Sequence, residues 1–152
     1  MRMPEPDANV LAQRLGLVAA LREIVPGEGV VADEVALRVY ESDGLTAYRQ
    51  APMCVVLPDT VEQVSLVMRL CDAWGVKIVP RGAGTSLSGG ALPLADGIIL
   101  GLGKFNRVLE IDYENRAVRV QPGVTNLGIS QAVEAAGFYY APDPSSQIAC
   151  SI

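Results

Sequence analysis

The densest group of potentially functional residues is the ten-residue stretch RGAGTSLSGG, from Arg81 to Gly90, which follows a short apolar run. It holds four glycines, two serines and one threonine. Glycine adopts backbone conformations that are closed to residues with a Cβ, so successive N–H groups can be exposed to one ligand. Such amides, with nearby hydroxyls and the guanidinium of Arg81, favour a bound anion such as a diphosphate. The stretch is therefore predicted to be an anion-binding loop.

The spacing of the glycines excludes two common nucleotide-binding motifs. A Walker A loop requires Lys and then Ser or Thr after its second glycine, whereas Gly89 is followed by Gly and Ala. A Rossmann fingerprint starting at Gly82 and Gly84 requires a third glycine where Leu87 stands. The remaining alternative is a flexible connection without function. Loops in compact domains usually have about four to six residues, so a longer one favours a functional role.

Composition narrows the chemistry further. The chain has 12 basic and 17 acidic residues, a net charge of -5, so it lacks the clustered Lys and Arg of a nucleic-acid surface. It contains no histidine, which removes the usual general base, the usual metal ligand and any Ser/His or Cys/His pair. We therefore predict no catalytic residue and no metal site within these 152 residues.

The cysteines and the apolar runs bear on compartment. Cys54, Cys71 and Cys150 are odd in number and form no CxxC, which favours buried thiols over disulfides or zinc ligands. No apolar run approaches the roughly 18 to 20 residues of a membrane span. The first residues, Met1 to Asp7, lack the pattern of a secretory signal, so a cytoplasmic protein is expected.

Hydrophobic periodicity predicts the elements that position the loop. A helix capped by Asn9 should run to about Val25, with inward residues at Leu11, Leu15, Val18, Leu21 and Val25. A second, short helix is predicted from Asp33 to about Ser42. The run MCVVL predicts a strand ending at Pro58, and Thr60 with Gln63 forms a capping box for a helix that ends at Gly75. The inward residues of that helix are predicted to be Val64, Val67, Met68, Cys71 and Trp74.

A strand from Lys77 to Pro80 completes a βαβ unit with parallel strands, and another apolar run, Gly97 to Leu102, follows the loop. Alternating residues on both sides of Asp112–Arg116 then predict an antiparallel hairpin, and Thr125 caps a last helix that Gly137 ends. The predicted fold class is α+β, with a βαβ unit leading into antiparallel strands.

These motifs together resemble a known family. The segment PRGAGTSLSGG, preceded by VVLPDTVEQVSLVMRLC and followed by VQPGVT and APDPSSQIACSI, is similar to FAD-linked oxidases of the vanillyl-alcohol oxidase type, with a PCMH-type FAD-binding domain. Within that family it is most like the group of glycolate oxidase D subunits and D-lactate dehydrogenases. The resemblance covers Pro52 to Ile152, and Tyr40–Asp43 resembles an upstream element of the same family. It implies a helical segment at 1–50 and the first part of an FAD-binding domain at 51–152, without a substrate domain.

The resemblance implies a set of cofactor contacts. In the family the glycine loop wraps the FAD pyrophosphate, which indicates Pro80, Arg81, Gly82, Ala83, Gly84, Thr85, Ser86, Gly89 and Gly90. The last segment resembles the stretch beside the flavin, which adds Pro142, Asp143, Ser145, Ser146, Cys150 and Ser151. Pro122 and Gly123 are weaker members, with an ordinary turn before the last helix as the alternative. The alternatives are a turn residue for Asp143 and a small buried side chain for Cys150.

The function that the resemblance implies is FAD-dependent oxidation of a 2-hydroxy acid such as glycolate or D-lactate, with this chain supplying FAD binding. The absence of histidine implies noncovalent FAD, because some relatives attach the flavin through a histidine. Other oxidase subunits are the implied partners. Two alternatives stay open: a catalytically silent flavin-binding module, and a flavin-containing transferase similar to the ether-lipid synthases.

Overall fold

The computed structural model describes residues 3–142 and 144–152, which form two sheets and five α-helices in those ranges. The larger sheet has four strands in the order β1-β2-β4-β3, and the smaller is the hairpin β5-β6. The strands are β1 Val30–Val31, β2 Cys54–Val56, β3 Lys77–Arg81, β4 Gly97–Gly101, β5 Val108–Asp112 and β6 Ala117–Val120. The helices are α1 Ala8–Ala12, α2 Arg14–Ile24, α3 Glu34–Leu37, α4 Val61–Ala73 and α5 Asn126–Val133, with 3₁₀ turns at Arg38–Tyr40 and Glu134–Ala136.

The predicted βαβ unit is confirmed. The sequence did not indicate that a further strand, β4, lies between its two strands. The capping box is present: the Thr60 side chain accepts from the Gln63 N–H, and the Gln63 side chain accepts from the Thr60 N–H. Gly75, at φ 66°, takes the left-handed conformation expected after a helix. Strands β2 and β3 are both parallel to β4, which lies between them. The loop from Arg81 to Gly90 therefore carries the chain from an edge strand toward the centre of the sheet.

The main core lies between one face of this sheet and helices α2 and α4. One cluster of fully buried side chains contains Leu17 and Leu21 from α2, Val67 and Cys71 from α4, and Ile98 from β4. The burial of such side chains stabilises the fold by about 1.5–3 kcal/mol each. The first fifty residues thus share a core with the βαβ unit, and β1 adds an antiparallel strand beside β2.

The predicted inward face of the N-terminal helix is correct at Val18, Leu21 and Val25, which are buried, but the predicted start of the helix and the inward position of Leu15 are wrong. Asp7, not Asn9, accepts at the N-cap, and the helix is divided at Gln13. Leu15 is 82% exposed, whereas its neighbour Arg14 is half-buried. The Arg14 guanidinium donates to the carbonyl oxygens of Met53 and Ala32 at 2.9 and 2.7 Å. An inward arginine with backbone acceptors cannot be recognised from hydrophobic periodicity. Two other residues that were expected to face inward are exposed, Met68 at 53% and Leu11 at 36%.

The remaining elements follow their sequence signals. Asp33 caps the short helix α3, the hairpin is antiparallel, and Thr125 caps α5 by accepting from the Gly128 N–H. Gly137 ends the last 3₁₀ turn in the left-handed conformation at φ 78°. None of the helices in residues 3–142 and 144–152 has the length and apolar character that a membrane crossing requires.

Candidate functional site

The candidate site lies at the carboxyl ends of the parallel strands. Strand β3 ends at Arg81 and β4 at Gly101, and Leu57 directly follows β2. In open α/β sheets this is the edge at which ligands bind. A cleft of about 290 Å³ opens there, lined by Val39, Tyr40, Leu57, Arg81, Gly82, Ala83, Ile99, Gly101 and Gly103. The beginning of the predicted anion-binding loop therefore forms one wall of a cleft at the expected edge.

The middle of the loop presents unused amides. Within the described ranges, the N–H groups of Gly84, Thr85 and Ser86 donate no hydrogen bond to another residue. Each of these residues is half-buried, and Gly84 has φ 72°, a conformation that glycine adopts without strain. Successive free amides next to a left-handed residue are typical of anion-binding backbone. This part of the loop fits a diphosphate.

Arg81 is held by backbone carbonyls of the segment that precedes the βαβ unit. Its Nη1 and Nη2 atoms donate to the carbonyl oxygens of Tyr40 and Ser42 at 2.9 and 2.6 Å. The guanidinium carbon lies 5.9 Å from the centre of the Tyr40 ring. Burial lowers the pKa of Arg81, an effect that the nearby charges of Asp43 and Tyr40 oppose. Arg81 therefore connects the start of the loop to residues 40–43.

The last two glycines of the loop, Gly89 and Gly90, lie near Leu45 and Ser86 respectively. Gly89 has φ 78°, and a Cβ there would lie 3.8 Å from Leu45 Cδ2. A Cβ on Gly90 would lie 3.8 Å from Ser86 Oγ, so both positions are free of severe contacts. Pro80 lies on β3, an edge strand, where a residue without an N–H is tolerated.

The last residues of the chain return to the beginning of the loop. Ser151 Oγ accepts from the Ala83 N–H at 3.0 Å, and Ser151 forms an isolated antiparallel bridge with Thr125. A Cβ on Gly82 would overlap Ser151 Oγ and would lie 3.8 Å from the Pro122 carbonyl oxygen. The structure thus brings together Gly82, Ala83, Pro122 and Ser151, which are far apart in sequence.

Gly123 is explained by packing. A Cβ there would lie 2.5 Å from the Leu102 carbonyl oxygen and 2.9 Å from that of Phe105, and the Gly123 N–H donates to Phe105 at 2.7 Å. These contacts support the alternative of a tight turn leading into α5.

Other predicted contacts lie apart from the loop. Pro142 lines a separate cavity of about 470 Å³ between the hairpin, α5 and residues 137–142. Ser145 and Ser146 lie in a turn, in which the Cys150 N–H donates to the Ser146 carbonyl at 2.7 Å. The Cys150 carbonyl accepts from the Asn126 N–H, and the Asn126 side chain donates to the Pro142 carbonyl. These residues connect to Ser151 through the backbone, and Asp143 lies outside the described residues.

Sequence reasoning missed several residues of the cleft, among them Leu57, Gly101 and Gly103. The signal for Leu57 and Gly101 was available, because each stands at or just after the carboxyl end of a predicted parallel strand. Gly44 was missed as well, and a Cβ there would lie 2.7 Å from the Thr85 carbonyl oxygen. No local motif indicates that approach.

Comparison with known families matches residues 52–152 to the family described as FAD binding domain. The chain belongs to this FAD-binding domain family. The resemblance read from the glycine loop is therefore confirmed, and so is FAD as the cofactor. The free amides of residues 84–86 and the left-handed Gly84 are the features of this FAD-binding domain that fit the diphosphate of FAD.

Relatives with known names narrow the group. The chain is 52% identical over 147 residues to glycolate oxidase subunit GlcD of Escherichia coli (strain K12), a match covering 97% of this chain and 29% of that protein. It is 33% identical over 134 residues to D-lactate dehydrogenase of Anaerostipes hadrus, covering 88% and 28%. The solved structure of p-cresol methylhydroxylase with substrate bound matches with a TM-score of 0.76 at 25% identity, covering 87% and 26%. The predicted α+β fold of PCMH type is confirmed, and the chain spans less than a third of these relatives.

Proposed function

We propose that this chain binds FAD noncovalently, with the diphosphate on the amides of Gly84, Thr85 and Ser86, as part of a flavoprotein that oxidises a 2-hydroxy acid. The observation that carries the proposal is the presence of these consecutive amides without partners, within the described ranges, beside a cleft at the carboxyl ends of parallel strands. The chain has a net charge of -5, so the global field opposes an anion. Oriented local dipoles must then supply the attraction.

The residues around the loop have separate roles in this proposal. Ser151 holds the Ala83 amide and so determines where the loop leaves β3. Gly82 leaves the space that the Ser151 hydroxyl occupies. On the basis of the family resemblance, five residues are proposed to lie beside the flavin: Pro142, Asp143, Ser145, Ser146 and Cys150.

The proposed reaction rests on the relatives. When bound, FAD supplies the site that accepts a hydride from the hydroxyl-bearing carbon of a 2-hydroxy acid. The names of two relatives, glycolate oxidase subunit and D-lactate dehydrogenase, refer to acids of this class. This chain contributes binding and orientation of the cofactor. The groups that bind the substrate carboxylate and accept the hydroxyl proton are proposed to lie outside these 152 residues.

A spectroscopic experiment tests the substrate class. The polypeptide is expressed with the sequence that continues its reading frame, and its flavin absorbance is followed under anaerobic conditions. Addition of glycolate or D-lactate is expected to bleach the flavin band. A flavin that stays oxidised with every 2-hydroxy acid would remove the substrate proposal, and it would leave both alternatives, the silent module and the transferase similar to ether-lipid synthases.

A binding experiment tests the role of the chain itself. The 152-residue chain is titrated with FAD and binding is followed by quenching of flavin fluorescence. Saturable binding is expected, and acid precipitation should then release all FAD into the supernatant because it is held without a covalent bond. Saturable binding without flavin reduction in the longer polypeptide would favour the silent module. No binding would contradict the assignment of the loop.

Three further features remain proposals from the sequence. Further oxidase subunits are the proposed partners, tested by co-purification under native conditions. A cytoplasmic location is tested by fractionation. The division into residues 1–50 and 51–152 is tested by limited proteolysis, which should cut first near residue 50 if the two parts are separate units.

A further inference from the structure

The anchor of the glycine loop lies in the segment that precedes the βαβ unit. Both terminal nitrogens of Arg81 donate hydrogen bonds to carbonyl oxygens of that segment, those of Tyr40 and Ser42. A guanidinium that donates in this way at both ends holds two backbone segments in a defined relation. It is at the same time less available as a ligand for phosphate oxygens.

Asp43 is the unexplained group in this segment. It is 5% exposed, and its Oδ1 accepts from the Leu45 N–H at 2.9 Å. Its Oδ2 is buried and has no hydrogen-bond partner within the described ranges. A buried carboxylate is costly unless an opposite charge compensates it. The opposite charge nearby is Arg81, whose guanidinium is bonded to the carbonyl of Ser42, the neighbour of Asp43, and whose pKa the charge of Asp43 raises against the effect of burial.

Two glycines allow close contact between the loop and the residues around Asp43 and Arg81. A Cβ on Gly84 would lie 2.5 Å from both Nε and Nη2 of Arg81, so the loop backbone rests directly on the guanidinium. A Cβ on Gly44, the residue after Asp43, would lie 2.7 and 2.9 Å from the carbonyl oxygens of Thr85 and Ser86. Residues 84–86, which carry the free amides, are therefore in close contact with Arg81 and Gly44.

We propose that Asp43 is a positioning residue for FAD binding, which holds the Arg81 guanidinium on the carbonyls of residues 40–42 and thereby gives the loop its anion-binding shape. The proposal rests on the proposed placement of the FAD diphosphate at residues 84–86. It assigns Arg81 to the support of the loop and not to contact with the phosphates. It also gives the N-terminal segment a part in cofactor binding.

A double-mutant cycle tests this coupling in the 152-residue chain. FAD affinity is measured for the unaltered chain, for Asp43→Asn, for Arg81→Met and for the double variant. Each single variant is expected to weaken FAD binding about tenfold, and the double variant by little more than either single one, because the two residues act as one unit. The control is Glu62→Gln, which removes the same charge from an exposed position on α4 and should leave the affinity unchanged.

The outcomes separate the two proposals. Losses that add in the double variant, or full affinity in Asp43→Asn, would overturn the coupling. If the unaltered chain does not bind FAD, the proposed function fails and this proposal fails with it. If Asp43→Asn does not fold, Arg81→Lys is the second variant: it keeps the charge but loses the planar fork, and about a tenfold loss of affinity is expected. Full affinity in Arg81→Lys would count against the proposal.

Salt dependence distinguishes an Arg81 that supports the loop from an Arg81 that contacts the phosphates. A phosphate-binding cation contributes to the decrease of affinity with salt, because charge contacts are screened. The dependence of FAD affinity on salt should therefore be the same in Arg81→Met as in the unaltered chain. A weaker dependence in the variant would show that Arg81 contacts the diphosphate and would overturn the proposal.

Discussion

The Ala83 N–H donates to Ser151 Oγ at 3.0 Å across a separation of 68 residues. This hydrogen bond joins the beginning of the glycine loop to the segment that pairs with Thr125 at the start of α5. The Asn126 N–H and the Ile152 N–H extend the pairing by donating to the Cys150 and Val124 carbonyls. The loop is thus held from two sides, by Ser151 on one and by residues 40–44 on the other.

Ser151→Ala is expected to weaken FAD binding about three- to tenfold, because one hydrogen bond contributes roughly 0.5–1.5 kcal/mol and its loss frees the Ala83 amide. The measurement is FAD titration at constant ionic strength. Ser65→Ala, on the exposed face of α4, is the matched control and should bind like the unaltered chain. Equal affinity in Ser151→Ala would mean that this contact does not shape the loop.

Gly84→Val is expected to weaken FAD binding by about tenfold or more. The side chain would be held at φ 72° and its Cβ would lie 2.5 Å from the Arg81 guanidinium, which must then move. The conformation itself costs about 1–2 kcal/mol for a residue with a Cβ.

Gly27→Val separates these two effects. Gly27 has φ 69°, and a Cβ there would meet nothing within 4 Å. The control should therefore lose a similar free energy of unfolding, measured with urea, while its affinity for FAD stays unchanged. An equal loss of affinity in both variants would show that backbone strain alone, and not contact with Arg81, explains the result.

The stability of the chain should depend on pH through Asp96. This side chain is buried, and its Oδ2 accepts from Lys77 Nζ at 2.5 Å and from the Asp7 N–H at 2.9 Å. Burial disfavours the charged form, but these hydrogen bonds outweigh it and hold the pKa of Asp96 below its usual value. A carboxylate with a lowered folded pKa stabilises the fold fully above its unfolded pKa, about 3.9, and this contribution is lost as pH falls through the folded pKa.

Asp96→Asn is accordingly expected to lower the free energy of unfolding by about 2 kcal/mol at neutral pH, since hydrogen bonds to charged groups are among the stronger ones. The difference from the unaltered chain should become smaller below about pH 4. Urea unfolding at several pH values measures it. A difference that does not change with pH would exclude the charged form of Asp96 as its origin.

Alkylation should distinguish the cysteines. Burial raises the pKa of Cys54 to about 12 and that of Cys71 to about 11, whereas the Cys150 side chain is half-buried. The thiolate is the reactive form, so iodoacetamide at roughly pH 8 should modify only Cys150 in the folded chain. All three should react in urea, as read by mass spectrometry. Modification of Cys54 at the same rate with and without urea would contradict its burial in the core.

Short-range signals accounted for most of the elements. The capping box at Thr60, the left-handed Gly75 and Gly137, and the antiparallel hairpin are all where the sequence predicted them. Each depends on residues within a few positions of one another, so a short window of sequence contains the whole interaction. The composition of the glycine loop likewise predicted an anion-binding backbone, and the family match confirmed FAD.

The tertiary structure decided what surrounds that loop. It placed β4 between β2 and β3, and it directed the half-buried Arg14 toward backbone carbonyls where periodicity predicted an inward leucine. It also brought the Arg81 guanidinium to the carbonyls of Tyr40 and Ser42, partners that the sequence did not indicate. The physical reason is the same for the two arginines: a polar group enters the fold where distant backbone atoms satisfy it, and only the folded chain shows which atoms arrive there.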